Sequence, residues 1–275
     1  MNKEISFFKK TAVVSFSGGM DSTCLVMHLL AQGHEVYAYS FDYGQNHRVE
    51  LDRASKNAEY LRSLGLPVYH KIINLQDVFA GDPSTLVQHE KSPEGDYRSE
   101  TMKATVVNNR NVIFSSVIFA KALSLAKRNL ANLTLDAKLA GEERTKEQLR
   151  KEATVTISLG VHAGDHAIYP DCTEESVNMA RELFRISNWD SDLVKYDAPF
   201  VNAPKSGVLA FGIGAMSSLG LTEEERDMVL SNTISCYNAT EDGVSCGKCG
   251  TCVERLEAFK MVGLKDPVHY AADVQ

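Results

Sequence analysis

The sequence lacks an excess of basic residues: 29 lysines and arginines stand against 36 aspartates and glutamates, and the net charge is −7. A general nucleic-acid binder normally carries a basic surplus or a basic stripe, so this class of protein is disfavoured. The chain also lacks an apolar run long enough to cross a bilayer, and residues 1–6 show no export signal. We therefore expect a cytoplasmic protein without a membrane partner.

Internal repeats and low-complexity segments are missing as well. The composition, 44% hydrophobic and 24% charged, is that of an ordinary globular protein, and 275 residues suffice for one large domain or two small ones. Six cysteines are too few for a disulfide framework in a chain of this length. Four of them fall between positions 236 and 252, which favours a metal site in a reducing compartment.

The chain is organised around a glycine-rich turn that follows an apolar, β-branched run. The turn reads Ser17-Gly-Gly-x-Asp-Ser22 and continues into an apolar helix. Backbone N–H groups at such a helix start bind phosphate, and glycine lets the main chain approach a bulky anion. Asp21 repels phosphate unless a cation lies between them, so the sequence predicts magnesium there. The residues of this stretch predicted to bind the phosphate-bearing ligand are Phe16, Ser17, Gly18, Gly19, Met20, Asp21, Ser22 and Thr23.

The first third of the chain alternates strands and helices. We predict strands at 11–17, 35–41 and 68–73, with helices at 22–32 and 46–64. This order indicates an α/β fold with a doubly wound, Rossmann-like parallel sheet. Ligands of such sheets bind beyond the carboxyl ends of the strands, where the glycine turn falls.

The remaining chain continues the alternation with one interruption. Residues 80–107 are predicted to form a long loop, and residues 136–152 are densely charged, which indicates an exposed helical excursion or a disordered insertion. Further predicted elements are helices at 112–127, 174–186 and 204–219, the last with Pro204 in its first position, strands at 154–161 and 196–200, and a helix opened by a capping box at 222–225. We predict an ATP-binding domain over 1–220, with an insertion at about 131–152, and a C-terminal region over 221–275.

The C-terminal region contains a second constellation, Cys236, Cys246, Cys249 and Cys252, in the spacing C-x9-C-x2-C-x2-C. Four thiolates form a closed tetrahedral site for a structural zinc ion. An iron–sulfur cluster and redox thiols are the alternatives that the spacing leaves open.

Several motifs together carry a resemblance to a known family. The glycine turn is similar to the loop of the adenylating ATP pyrophosphatases, and it is accompanied by Tyr43-Gly-Gln45, Arg110-Asn111, Tyr169-Pro-Asp-Cys172 and the four-cysteine tail. The set resembles the 7-cyano-7-deazaguanine synthase (QueC) family, over residues 10 to 263. The resemblance implies a fold of the adenine nucleotide alpha hydrolase type. It also implies a ligase that adenylates a deazapurine acid with ATP, adds ammonia to give an amide, and converts the amide to the nitrile.

The resemblance also implies roles for individual residues. Asp21, Ser22, Arg110 and Lys205 would be catalytic; Tyr43, Gln45 and Asn111 would contact ATP; Asp165, Tyr169 and Asp171 would contact the substrate. ATP, magnesium and zinc are the implied cofactors, and a homodimer is expected. His162 and His166 are interpreted as structural.

Four departures from the family pattern leave alternatives open. Asn108-Asn109 precedes Arg110 where the family usually has a proline-containing segment, and the stretch 131–152 is interpreted as an insertion. Thr173 follows Tyr169-Pro-Asp-Cys172 where the family usually has arginine, and Pro204 precedes Lys205 where it usually has threonine. A divergent paralogue that conjugates the acid to another amine, such as a protein acceptor, is one alternative. Another adenylating enzyme, such as a tRNA thiolase or an amide synthetase, and a non-enzymatic zinc-ribbon module are the others.

Overall fold

The computed structural model describes residues 10–46, 48–88, 90–95, 99–240 and 242–271. It contains one five-stranded sheet in the order β3-β2-β1-β4-β5, and all neighbouring strands run parallel. The strands are β1 (Lys10–Ser15), β2 (His34–Asp42), β3 (Val68–Asn74), β4 (Val155–Ser158) and β5 (Val194–Asp197). The predicted doubly wound α/β fold is confirmed. Residues 1–6, on which the export argument rested, lie outside the described residues, as does His47 in the predicted second helix.

The central strand β1 is buried on both faces, as its apolar sequence predicts. Val13 lies opposite Tyr37 of β2 on one side and Ile157 of β4 on the other. The chain order reverses across β1, because β2 and β3 follow on one side and β4 and β5 on the other. The carboxyl ends of β1 and β4 therefore form the crevice where doubly wound sheets bind ligands.

Nine α-helices accompany the sheet in the described part of the chain. They are α1 (Met20–Ala31), α2 (Val49–Ser63), α3 (Gln76–Phe79), α4 (Arg110–Ala140), α5 (Lys146–Ala153), α6 (Glu174–Ser187), α7 (Lys205–Ser218), α8 (Glu223–Ser231) and α9 (Gly250–Met261). The capping box predicted before α8 is confirmed, since Thr222 and Glu225 bond each other's backbone N–H groups. None of the described helices has both the length and the apolarity that a bilayer span requires.

Several element boundaries differ from the prediction. The strand expected at 154–161 ends at Ser158, and the helix expected from Pro204 begins at Lys205. The helix expected at 112–127 runs from Arg110 to Ala140, and of the two alternatives for the charged stretch the helical one is confirmed. Gly141 ends α4 with a φ of 66°, and Thr145 opens α5 through a capping box with Gln148. The strand expected at 196–200 begins at Val194 and ends at Asp197. Pro199, two residues later, has no N–H to donate to a neighbouring strand.

Buried side chains cover both faces of the sheet. One layer joins α1, α2 and α7, and it also includes Val229 of α8 and Phe259 of α9. The other layer packs α4 and α6 against the opposite face, with Ile118, Phe184 and Ile157 among its members. The C-terminal helices thus pack into the same core as α1, which brings the cysteine region close to the glycine turn.

Candidate functional site

A cavity of about 200 Å³ opens at the carboxyl ends of β1, β2 and β4. Most of the residues predicted to bind ATP or substrate line it. Those on its wall are Phe16, Ser17, Gly19, Asp21, Ser22, Tyr43, Gln45, Arg110, Asn111, Asp165, Tyr169 and Lys205. Four predicted residues, Gly18, Met20, Thr23 and Asp171, lie off this wall.

Hydrogen bonds between residues close in sequence fix the conformation of the glycine turn. The Ser17 Oγ accepts from the Gly19 N–H at 3.2 Å and lies 3.1 Å from the Ser22 Oγ. Gly18 faces away from the cavity with a φ of 82°, and a Cβ atom there would lie 2.5 Å from the carbonyl oxygen of Glu50. Only glycine fits both conditions, so Gly18 serves the shape of the turn. The turn therefore presents hydroxyl groups and the start of α1 to the cavity.

Met20 and Thr23 anchor the turn from behind. Both are fully buried in the first turn of α1. Their side chains point into the core, and the Thr23 N–H donates to the Gly19 carbonyl at 3.1 Å, so only the Met20 backbone N–H is left to contact a nucleotide. The structure thus separates the residues that face the cavity from those that fix the helix start.

Asp21 belongs to a buried charge cluster. Its Oδ2 lies 3.3 Å from the Lys205 Nζ, which also lies 2.8 Å from Glu254 Oε2. Lys205 is only 5% exposed, so the surface role that a lysine usually has does not apply here. Burial alone would raise the pKa of the Asp21 carboxyl group, but Lys205 and His162 outweigh burial and lower it. Asp21 is therefore ionised at neutral pH.

His162 and Glu254 are site residues that the sequence reasoning missed. The His162 Nε2 lies 3.8 Å from Asp21 Oδ2 and 3.4 Å from the Lys205 Nζ, so the structural interpretation of this histidine was incomplete. Glu254 lies on α9, on the side that buries Thr251 and Arg255. Helical spacing from these residues was the available signal for Glu254. No local pattern pointed to His162.

The second oxygen of Asp21 fits a cation. Among the described residues, Asp21 Oδ1 is buried and has no hydrogen-bond partner. A buried, ionised oxygen without a partner is costly unless a ligand satisfies it. These residues fit a magnesium ion, which Asp21 would hold through this oxygen while Lys205 neutralises the other.

Arg110 closes the cavity from the start of α4. Its guanidinium lies 5.7 Å from the ring centre of Tyr43 and 5.9 Å from that of Tyr169, and its Nη1 donates to the Tyr43 hydroxyl at 3.3 Å. Burial raises the pKa of Tyr43 to about 12, so this phenol keeps its proton. Two aromatic rings thus hold a permanent cation at the cavity wall.

Gln45, Asn111 and Asp171 support the cavity through local bonds. The Gln45 side chain accepts from the Tyr43 N–H at 2.9 Å and donates to the Phe41 carbonyl at 3.1 Å, which closes the turn after β2. The Asp171 carboxylate accepts from the Asn111 backbone and side-chain amides at 3.1 and 3.3 Å. It therefore satisfies a free N–H at the start of α4.

Thr173 and Pro204, two of the departures from the family pattern, are both N-cap residues of helices. Thr173 precedes α6 and accepts from the Ser176 N–H at 3.2 Å, and Pro204 precedes α7 in an extended conformation. Asp165 lies on the cavity wall and accepts from the His162 N–H at 3.2 Å. Of the two aspartates predicted to meet the substrate, only Asp165 faces the cavity.

The four cysteines converge as predicted. Their sulfur atoms lie within 4.8 Å of one another, and three of the four residues are buried. The Cys236 sulfur accepts from the N–H groups of Asn238 and Cys246 at 3.3 and 3.2 Å, and the Cys246 sulfur accepts from that of Cys249 at 3.3 Å. Four clustered sulfurs that receive N–H bonds suit a thiophilic metal such as zinc.

Comparison with known proteins identifies relatives along nearly the whole chain. The family model described as "Queuosine biosynthesis protein QueC" matches residues 11–137 and 127–263. Three similar proteins, each named 7-cyano-7-deazaguanine synthase, come from Caldicellulosiruptor saccharolyticus, Pseudoalteromonas translucida and Methanoregula boonei. Each is 38% identical to this chain; the matches cover 96%, 94% and 94% of the chain and 96%, 97% and 98% of the relatives. These matches favour none of the alternative enzyme classes, and the chain belongs to the QueC family.

Proposed function

We propose that this protein is an ATP-dependent ligase that converts 7-carboxy-7-deazaguanine and ammonia to 7-cyano-7-deazaguanine. The observation that carries the proposal is the cavity itself, in which the glycine turn, the Lys205–Asp21 pair and the Arg110 guanidinium meet at the carboxyl ends of the strands. Membership of the QueC family supports the same reaction.

The proposed chemistry needs positioning and charge neutralisation more than acid–base groups at its first step. A carboxylate oxygen is a poor leaving group, whereas AMP is a good one, so transfer of AMP to the acid activates it. The Ser17–Ser22 turn and the start of α1 would hold the phosphates. Lys205 and Arg110 would neutralise the charge that develops as pyrophosphate leaves.

The bound groups have separate tasks in this proposal. Magnesium would supply charge neutralisation between Asp21 and the phosphates. Asp165 and Tyr169 would face the deazapurine, whose N–H donors suit a carboxylate acceptor. Zinc in the closed four-sulfur site would stabilise the C-terminal region and take no part in the reaction. We place the protein in the cytoplasm, whose reducing conditions suit six free cysteines, and expect a homodimer.

An isotope-exchange assay tests the proposal. With magnesium and 7-carboxy-7-deazaguanine, the protein should exchange labelled pyrophosphate into ATP, and addition of ammonium should yield the nitrile by mass spectrometry. Lys205→Met should abolish the exchange, while Lys195→Met, which changes an exposed lysine, should leave it intact. Absence of acid-dependent exchange in the wild-type protein would refute the proposal.

A further inference from the structure

Glu50 is a cavity carboxylate that the proposed adenylation step leaves without a task. It lies in the first turn of α2, behind the glycine turn, and its side chain lines the cavity. Asp21 is paired with Lys205, and Asp165 accepts a bond from the His162 N–H. For Glu50, by contrast, the described residues provide neither a hydrogen bond nor an ion pair within 4.0 Å. Its carboxylate, which is partly buried on the cavity wall, is therefore open to a ligand that enters the cavity.

The surroundings of Glu50 select the kind of ligand. Leu51, Leu86 and Ile234 line the same cavity and give its wall an apolar part. Burial raises the pKa of the Glu50 carboxyl group to about 7, and the attraction of Arg110 opposes that rise without cancelling it. A carboxyl group in such a place exchanges its proton readily at neutral pH.

Magnesium fits this position poorly. It gives up its water reluctantly and prefers several oxygen ligands, whereas Glu50 offers one carboxylate beside apolar side chains and within the electrostatic reach of a guanidinium. An ammonium ion is monovalent and becomes uncharged once it gives up a proton. A cavity that already holds the Arg110 cation tolerates a neutral amine better than a second fixed charge.

We propose that Glu50 binds the ammonium ion and accepts the proton that ammonium must lose before its nitrogen attacks the activated acid. This inference rests on the proposed function, since it concerns the second half of that reaction. Proton transfer from ammonium to the carboxylate leaves ammonia and a neutral Glu50.

The step that follows balances without a further reagent. The nitrogen lone pair forms a bond to the acyl carbon, the bond from that carbon to the AMP oxygen breaks, and AMP leaves with the electron pair. The nitrogen releases its remaining surplus proton to water as the amide forms. Glu50 returns its own proton to water before the next ammonium ion binds.

The test separates the two half-reactions and changes the nucleophile. Glu50→Gln keeps the size of the side chain but removes the proton acceptor, and Glu59→Gln changes an exposed glutamate of the same helix as a matched control. We expect acid-dependent pyrophosphate exchange to remain near wild type in both variants. With ammonium, kcat/KM for amide formation should fall about 100-fold in Glu50→Gln only, the usual size of a lost general base.

Hydroxylamine supplies the decisive comparison, because it is already uncharged at neutral pH and needs no proton acceptor before attack. Glu50→Gln should form the hydroxamate at a rate within about threefold of wild type. Equal losses with ammonium and hydroxylamine would overturn the proposal, because Glu50 would then hold the acid or shape the cavity. Loss of the exchange reaction in Glu50→Gln would overturn it in favour of a contact with magnesium or ATP. If wild-type protein shows no acid-dependent exchange, the proposed function fails first, and this inference fails with it.

Discussion

The cysteine cluster and the glycine-turn cavity balance their charges in different ways. In the cluster, the sulfurs accept from backbone N–H groups, and Cys249 also shares a hydrogen bond with the Thr251 hydroxyl, so all of these partners are uncharged. In the cavity, Asp21 forms an ion pair with Lys205, and Lys205 forms a second ion pair with Glu254. Clustered thiolates without a cationic side chain need a metal ion to balance their negative charge. The cavity contains its own positive side chain, Lys205, and can therefore bind and release ligands. The following predictions test this contrast, from the largest expected effect to the smallest.

Removal of one cysteine should abolish metal binding at the cluster. Cys249→Ser leaves three sulfurs, and the zinc binding energy that supports the region is lost, which we expect to lower the Tm by about 10 °C or more. Elemental analysis and a thermal melt measure both effects. Cys24→Ser, outside the cluster, should keep one zinc per chain. A full zinc equivalent in Cys249→Ser would contradict the assignment of four ligands.

Removal of the lysine should damage the cavity in a way that a second change partly repairs. Lys205→Met leaves Asp21 and Glu254 buried without their partner, at a cost of about 3–5 kcal/mol in the free energy of unfolding. Pyrophosphate exchange should fall at least about 100-fold. The double variant Lys205→Met/Glu254→Gln removes one stranded charge, so urea unfolding should show recovered stability without recovered exchange. Equal stability of the single and double variants would show that Glu254 does not balance Lys205.

Alanine substitutions at two glycines test how closely the glycine turn packs against α2. Gly18 and Gly44 share a φ of 82°, but a Cβ atom would collide with the Glu50 carbonyl oxygen only at Gly18, and it meets nothing within 4 Å at Gly44. Gly44→Ala should cost about 1 kcal/mol from backbone strain, and Gly18→Ala about 2–3 kcal/mol together with a higher KM for ATP. Urea unfolding and exchange kinetics report these values. Similar costs at the two positions would mean that α2 yields to the added methyl group.

The smallest effect concerns the pH dependence of stability. Burial raises the pKa of Glu50 from 4.5 to about 7, although the facing Arg110 opposes the rise; Tyr43, also facing Glu50, stays neutral in this range. Because the folded state holds this proton more tightly than the unfolded state, the contribution of Glu50 is complete below pH 4.5 and is lost as the pH rises through about 7. Because the Glu50 side chain is partly exposed to solvent, only part of this shift should appear in the free energy of unfolding. Glu50→Gln should therefore reduce the loss of stability between pH 5 and pH 8 by about 1 kcal/mol.

Thermal melts of wild type and Glu50→Gln across that pH range provide the measurement, with Glu59→Gln as the control. Parallel curves for wild type and Glu50→Gln would show that the Glu50 carboxylate is solvated, and the contrast between paired and unpaired cavity carboxylates would disappear.

The sequence by itself determined the parts of this protein that depend on neighbours in the chain. The apolar runs of β1 and β2, the glycine turn before α1 and the capping box of α8 are short-range patterns, and each formed where expected. Cysteine spacing likewise predicted the cluster, because three of its four members follow one another within a single turn and helix start. The end of α4 was missed because the charged residues suggested a break, whereas Gly141 supplies the actual stop.

Only the tertiary structure decided which charges meet. Glu254 is 49 residues from Lys205, and His162 is 43 residues from it, so no local period relates them. Their approach depends on how α9 packs against α7 and how the segment after β4 packs against the start of α1. Hydrophobic burial sets this packing without regard to the polar groups that it brings together. The same packing left Glu50 on the cavity wall without a hydrogen bond or ion pair to any of the described residues. A sequence pattern records the chemistry of such residues, but their pairing exists only once the core has formed.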